Sequence, residues 1–496
     1  MNRQPTTEGR DWQAKRSGSL KPFSVATMTL LVILTLAGCQ VVRQDRATAT
    51  AMPRPTDTLV ATPAPPTPSP SPTPIPSPTP TPMPSPRATQ TASLSPLSPQ
   101  ERATLEAVAE EVEQLRELES GAPLALAFMK PEELSDWLAE ELAEDYSPQE
   151  ARREARLYAA LELLPPDTDL HSLVLALYTE QIAGFYDHET DQMTVVDDET
   201  GLDALDKITF AHEYIHDLQD QFLDLDALQT FRETADNDDA VRAVTALVEG
   251  DAQMATVLYL LNHLSELDPS ALDGIRTDVF DAAPPILRQE MLFPYMQGLA
   301  FVQTLHGRGG WKAVDDAYAA PPQSTEQILH PKKYLAGEAP IVVSLPPLTS
   351  TLQTEPQGET AGADWQLIKE NTLGEFLLHL YLDVHLPDGT AKDASAGWGG
   401  DRFALYERLA TGDRLLLIVI AWDSHTEAAE FASAYAAFAD DKYEGVTASE
   451  DALGTWWQGE NETSLLSTDE GQSIVIIGSQ ADAVGRVWQA LESIER

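Results

Sequence analysis

Five consecutive residues carry the chemistry most readily named in this chain: His212, Glu213, Tyr214, Ile215 and His216 read H-E-x-x-H. On a helix, residues four apart stack on one face, so His212 and His216 can present both imidazoles to one metal ion. Glu213 stands one step round, placed to take a proton from a metal-bound water. Two histidines half-sunk in an apolar face lack hydrogen-bond partners unless a metal or an outer shell of polar groups provides them. The bland alternative is a surface helix with two incidental histidines.

A catalytic zinc takes three protein ligands and leaves the fourth position to water. A third histidine six residues after the motif would fall where Phe222 stands, and no Gly-Thr-x-x-Asp continuation follows. What remains is a glutamate from a later helix. Helical patterning runs from about Asp238 to Leu264, and Glu249 lies in its apolar segment Ala243 to Ala252. A bare carboxylate there is costly to bury unless paired or metal-bound; a solvated glutamate at a helix edge is the plain alternative. Asp251 competes as ligand and reads better as a partner to a ligating histidine.

With Glu249 in a Val-Glu-Gly-Asp-Ala setting, the motif resembles the gluzincin group of zinc metallopeptidases. The resemblance implies Zn2+ held by His212, His216 and Glu249, Glu213 as general base, and a peptide or protein substrate. It also implies a sheet whose edge strand, here Met193 to Val196, binds that substrate. In the implied reaction a zinc-activated water attacks the peptide carbonyl and Glu213 hands its proton to the leaving amine. One more donor for the oxyanion is needed. Tyr295 in Phe293–Gly298 and His330 in Ser324–Pro331 are the candidates, although each also reads as packing or loop. Many gluzincins carry an acidic residue four positions after the ligand glutamate; here that position is Gln253.

The elements that must position these groups follow from pattern. Ser98-Pro99-Gln100-Glu101 is a capping box with Pro at the first helical position. Leu105, Val108, Val112, Leu115 and Leu118 then recur at helical spacing. Helical patterns cover roughly Pro131 to Leu142, Pro148 to Leu164 and Leu170 to Ile182. The period then switches to a strand pair, Gly184 to Asp187 and Asp191 to Asp197, around a polar turn holding His188. The motif helix is expected from Asp203 as N-cap to beyond Phe222, with Leu205, Ile208, Ala211 and Ile215 as its apolar face. A free strand edge just before it can pair with an extended peptide.

After Pro340 a polar, proline-containing stretch to about Ala363 reads as a linker or excursion. Helices at Thr372–Leu382, Ser424–Ala439 and Ala481–Ile494 then flank five short strands between Phe403 and Gly478, with Gly397–Arg402 as a turn. The expected fold class is α+β: a mainly helical zincin-like domain with a small sheet over 99–340, then a smaller α+β domain over 341–496.

Composition sets the setting. The chain has 496 residues and a net charge of -47, which repels nucleic acid and anionic headgroups. Residues 1–38 read as a signal segment, with basic Arg16 and Lys21, an apolar run from Phe23 to Leu36, and Leu36-Ala37-Gly38-Cys39, which resembles a bacterial lipobox. In such signals the cysteine is lipidated, so the membrane partner is a lipid on Cys39 and the location is extracytoplasmic. Cys39 is the single cysteine, which excludes disulfides within the chain. Residues 39–98 are dominated by Pro, Thr and Ser and read as a disordered tether. The expected function is a membrane-anchored zinc metallopeptidase; the alternative is a non-catalytic surface lipoprotein that keeps the zincin scaffold for binding or envelope structure.

Overall fold

A computed structural model describes residues 98–121, 125–187, 192–196, 202–223, 225–267, 276–353, 365–408 and 410–492. The signal segment, Cys39, the tether up to residue 97 and the turn holding His188 lie outside the described residues.

The chain enters through α1 (Pro99–Arg116), whose capping box forms as expected: Ser98 Oγ accepts from the Glu101 amide and the Glu101 carboxylate accepts from the Ser98 amide. Strand β1 (Leu126–Met129), helices α2 (Pro131–Asp145), α3 (Pro148–Ala160) and α4 (Leu170–Gln181) and strands β2 (Gly184–Asp187) and β3 (Gln192–Val196) follow. Next come α5 (Ala204–Leu223), which carries the H-E-x-x-H motif, α6 (Leu225–Thr234) and α7 (Asp238–His263), which carries Glu249. Asp203 caps α5 through the Leu205 and Asp206 amides. Then follow α8 (Asp278–Ala282), α9 (Pro285–Gly309), α10 (Trp311–Ala319), α11 (Thr325–Leu329), α12 (Pro331–Ala336) and α13 (Thr349–Leu352).

The small sheet has the order β1-β3-β2, with β3 parallel to β1 and antiparallel to β2. This corrects the expectation that Met193 to Val196 offers a free edge. A strand over Leu126–Met129, too short to leave an alternating pattern, occupies that side, and the edges are β1 and β2.

The second half is mixed helix and strand around a seven-stranded antiparallel sheet, ordered β4-β5-β6-β10-β9-β8-β7. Its strands are β4 (Trp365–Asn371), β5 (Trp398–Arg408), β6 (Asp413–Trp422), β7 (Ser449–Asp451), β8 (Gly454–Gln458), β9 (Thr463–Asp469) and β10 (Gln472–Gly478). The expected turn at Gly397–Arg402 is instead the start of β5, where the register slips between Trp398 and Gly400. Two glycines there allow the close approach of another strand-like segment: a methyl on Gly400 would stand 2.0 Å from the carbonyl oxygen of Ile341. The stretch after Pro340 is thus partly docked rather than a bare linker, with Leu348 and Leu352 buried against the sheet. Residues 354–364 lie outside the described residues.

Strand β6 shows how the sheet is covered on both faces. Leu416, Ile418 and Ile420 point into one core with α16 (His425–Lys442), while Leu415, Leu417 and Val419 point into another with α17 (Ala481–Glu492). The first of these cores runs on without a break into Leu138, Tyr158, Leu177 and Leu287 of the helical half and includes α14 (Gly374–Asp383) and α15 (Asp388–Ser395). The two halves therefore share a core. A further core, built on α1, α5, α7, α9 and α10, surrounds the motif.

Candidate metal centre

Helix α5 is amphipathic, and its inward face includes the motif: His212, Glu213 and His216 are all fully buried. Helix α7 packs across α5 and brings Glu249 to them. Glu249 Oε2 is 3.5 Å from His212 Nε2 and 3.5 Å from His216 Nε2. The rings lie 5.0 Å apart between centroids, at 78° to one another.

All three facing atoms, His212 Nε2, His216 Nε2 and Glu249 Oε2, are buried without a hydrogen-bond partner. Three buried polar atoms aimed at one point without partners is an arrangement that a cation resolves. Bonds of about 2.0–2.1 Å to a tetrahedral zinc place ligand atoms about 3.3 Å apart, close to what is seen here.

The electrostatics agree. Burial alone would raise the Glu249 carboxyl, but the two imidazoles outweigh it and hold the pKa down to about 2. Burial pulls His212 below its ordinary value. It pulls His216 down as well, but the adjacent Glu249 carboxylate outweighs it and the net shift is upward. The Glu249 carboxylate is thus negative and is met by positive charge at the histidines, whether as a proton on His216 or as a bound cation.

Each imidazole is fixed by its far nitrogen. Gln219 Oε1 lies 2.8 Å from His216 Nδ1, while Gln219 Nε2 donates to Val248 O at 3.0 Å and to Asp251 Oδ2 at 3.0 Å. Both amide protons of Gln219 are so used, which orients its oxygen to the ring and puts the ring proton on Nδ1. Thr256 Oγ1 donates to Ala252 O at 2.7 Å and stands 3.3 Å from His212 Nδ1, whose N–H it accepts. In both rings Nε2 keeps its lone pair toward Glu249.

Asp251 is buried and stands outside the His212, His216 and Glu249 group. It reaches His216 only through Gln219, and it also accepts from Arg116 and from the Tyr318 hydroxyl at 2.8 Å. Gln253 is buried with neither amide atom paired among the described residues, and Thr256 takes the histidine instead.

Tyr295 is brought to the centre and His330 is not joined to it. Helices α7 and α9 cross at Gly250 and Gly298, where a methyl on Gly250 would fall 2.2 Å from the Gly298 carbonyl carbon. That crossing sets the buried Tyr295 ring 6.2 Å from the His212 ring, between centroids. His330 sits between α11 and α12, 2.8 Å from the Glu375 carboxylate, and its charged neighbours are Glu375, Glu326 and Lys333. A second acidic group, Glu326, Glu338 and Asp423, already shares the Lys333 ammonium, at 2.5 Å from Glu326 and 3.2 Å from Glu338, and two of its three members are exposed.

Strand β2 lies over the motif helix at Gly184. A methyl there would stand 2.9 Å from Thr209 Cγ2, 3.1 Å from Thr194 O and 3.6 Å from Glu213 Cγ. Tyr186 of the same strand donates to Asp220 of α5 at 2.8 Å, which holds strand and helix together.

Sequence reasoning passed over Arg116, Gln219, Thr256 and Gly184. Three of them carried a signal. Gln219 is three residues beyond His216 and Thr256 seven beyond Glu249, each on the same helix face. Arg116 continues the apolar stripe Leu105, Val108, Val112, a charge where the pattern asks for an apolar residue. Gly184 carried none, since its need arises from a contact between distant segments.

No helix among the described residues is long and apolar enough to cross a membrane. No curated protein matches the chain, and no solved structure matches it. A sequence-family model described as a domain of unknown function, DUF8575, matches residues 365–488, the seven-stranded sheet with its helices.

Proposed function

We propose that the chain is a zinc metallopeptidase with a zincin-like centre, and that His212, His216 and Glu249 are the ligands. The observation that carries the reading is the convergence of His212 Nε2, His216 Nε2 and Glu249 Oε2, all buried and all without hydrogen-bond partners, next to the carboxylate of Glu213. A bound zinc would supply a Lewis acid and a water acidified toward neutrality. The residues do the rest. Gln219 and Thr256 hold the imidazoles in the tautomer that leaves Nε2 free. Glu213, fixed on the same helix and covered by β2, takes a proton and returns it to the leaving amine. Tyr295 is the donor at hand for a developing oxyanion.

Substrate is peptide or protein. The lipobox-like run ending at Cys39 and the Pro/Thr/Ser tether support a lipid-anchored, extracytoplasmic placement. One observation favours the second reading, a scaffold that binds metal without turnover: both histidines and Glu213 are fully buried, and only Glu249, at 10% side-chain exposure, meets solvent. A purely structural site has no use for a general base and normally has four protein ligands, which weighs for the enzyme.

Incubating the zinc-loaded full chain and Glu213→Gln with a broad peptide library separates the two. Cleavage by wild type, lost by at least about a hundredfold in Glu213→Gln with zinc retained, is the expected result. A zinc-loaded wild type that cleaves nothing, or a Glu213→Gln variant as active as wild type, overturns the peptidase reading.

A further inference from the structure

We infer that Arg116 is a positioning residue for the metal centre, acting through Asp251 and Gln219 on His216 Nδ1. The inference rests on the zinc reading above. Arg116 is the last residue of α1 and is fully buried. Its Nε donates to Asp251 Oδ1 at 2.7 Å and its Nη2 to Asp251 Oδ2 at 3.1 Å, a two-point grip that a lysine cannot reproduce. Nη2 also reaches Asp315 at 2.6 Å, and the guanidinium lies 4.4 Å from the centre of the Trp311 ring. Trp311 in turn donates to Leu115 O at 2.7 Å. The guanidinium is therefore held by three neighbours, and Asp251 is held by the guanidinium.

Asp251 Oδ2 is one of the two acceptors that fix the amide of Gln219. Losing Arg116 leaves a buried carboxylate without its counter-charge, a state costly enough that the carboxylate must move. Gln219 then keeps only Val248 O, and its amide is free to turn its N–H toward His216. An N–H facing Nδ1 favours the ring tautomer with its proton on Nε2, the atom that must carry the lone pair. His212 has its own anchor in Thr256, outside this chain of contacts, so the effect falls on one of the two histidines. The first helix of the described chain is thereby part of the metal site.

The test is zinc affinity, read by competition with a chromophoric chelator on the full-length chain stripped of metal. Arg116→Met is expected to weaken binding by about 10- to 100-fold, the usual effect of removing an outer-shell partner. Arg116→Lys, which keeps the charge and loses the fork, is expected between the two. The double variant Arg116→Met/Asp251→Leu removes the buried pair together, and with it the second anchor of Gln219. Because Arg116 acts only through Asp251, the double variant is expected to bind zinc no more weakly than Asp251→Leu alone, and a further loss in the double overturns the inference. Wild-type zinc affinity in a folded Arg116→Met, or in the double variant, overturns the inference. A wild type that takes up no zinc overturns the zinc reading itself.

Discussion

Helices α7 and α9 approach so closely at Gly250 and Gly298 that the crossing has no room for one carbon atom. A methyl on Gly298 would stand 2.0 Å from Ala246 O, 3.0 Å from the Ala246 carbonyl carbon and 3.1 Å from Gly250 Cα. All three are backbone atoms of α7, so no side chain can turn aside to relieve them. Ordinary contact begins near 3.4 Å, so Gly298→Ala must part the helices by about 1.4 Å (3.4 minus 2.0). Overpacking of this kind costs about 1–3 kcal/mol and more where backbone must move. Tyr295, one turn earlier on α9, moves with the helix and away from the His212 ring. Gly307, near the end of the same helix, is the control, because a methyl there meets nothing within 4 Å. Gly307→Ala is expected to be neutral or to gain up to about 1 kcal/mol from helix propensity. Chemical denaturation of the two variants, followed by far-UV circular dichroism, measures both. A Gly298→Ala protein as stable as Gly307→Ala would refute the close crossing, and with it the means by which Tyr295 is placed.

Two further outcomes follow from buried charge. Burial raises the Asp239 carboxyl to about 7 despite the two bonds it accepts from Thr325. The folded chain therefore holds a proton there that the unfolded chain releases at about pH 4. Stability from this group is complete below that value and is lost as pH rises through about 7. Thermal melts from acid to neutral pH should show Asp239→Asn gaining on wild type by on the order of 1.4 kcal/mol for each pH step of one as pH rises; a difference independent of pH contradicts the assignment. Lys369 of β4 puts its buried ammonium 2.8 Å from Asp238 at the start of α7 and 3.8 Å from Glu154 of α3. Lys369→Met leaves those carboxylates with Arg242 as their remaining counter-charge and is expected to cost about 3 kcal/mol in denaturant titration, and a loss below about 1 kcal/mol argues against the brace.

The convergence of His212, His216 and Glu249 was legible because its geometry is local. His212 and His216 are one helical turn apart, and Glu249 stands out as a carboxylate in an apolar turn of a strongly periodic helix. Helix α1, the motif helix, α7 and most strands of the second half were legible for the same reason, since each repeats its period over several turns or residues. Strand β1 was not: four residues give no period, and it is recognisable only by its pairing with β3. Strand β4 was hidden by a half-exposed, polar face, in which Gln366, Leu367 and Glu370 alternate poorly with buried Trp365 and Lys369. The shared core between the two halves was invisible because it is made by residues far apart in sequence, such as Leu138 with Leu377 and Ile418. His330 reads from sequence as a candidate oxyanion donor, and its partner Glu375, 45 residues away, is visible only in the fold. Arg116 could have been noticed as a charge in an apolar stripe, but only the fold shows that Asp251 meets it.

The proposed chemistry requires that the three converging groups hold one zinc. Titrating metal-free full chain with Zn2+ in a calorimeter, alongside His216→Ala, measures it directly. One zinc per chain, saturable in wild type and absent from a His216→Ala protein with unchanged circular dichroism, is the predicted result. No stoichiometric uptake by wild type, or equal uptake by the variant, contradicts it.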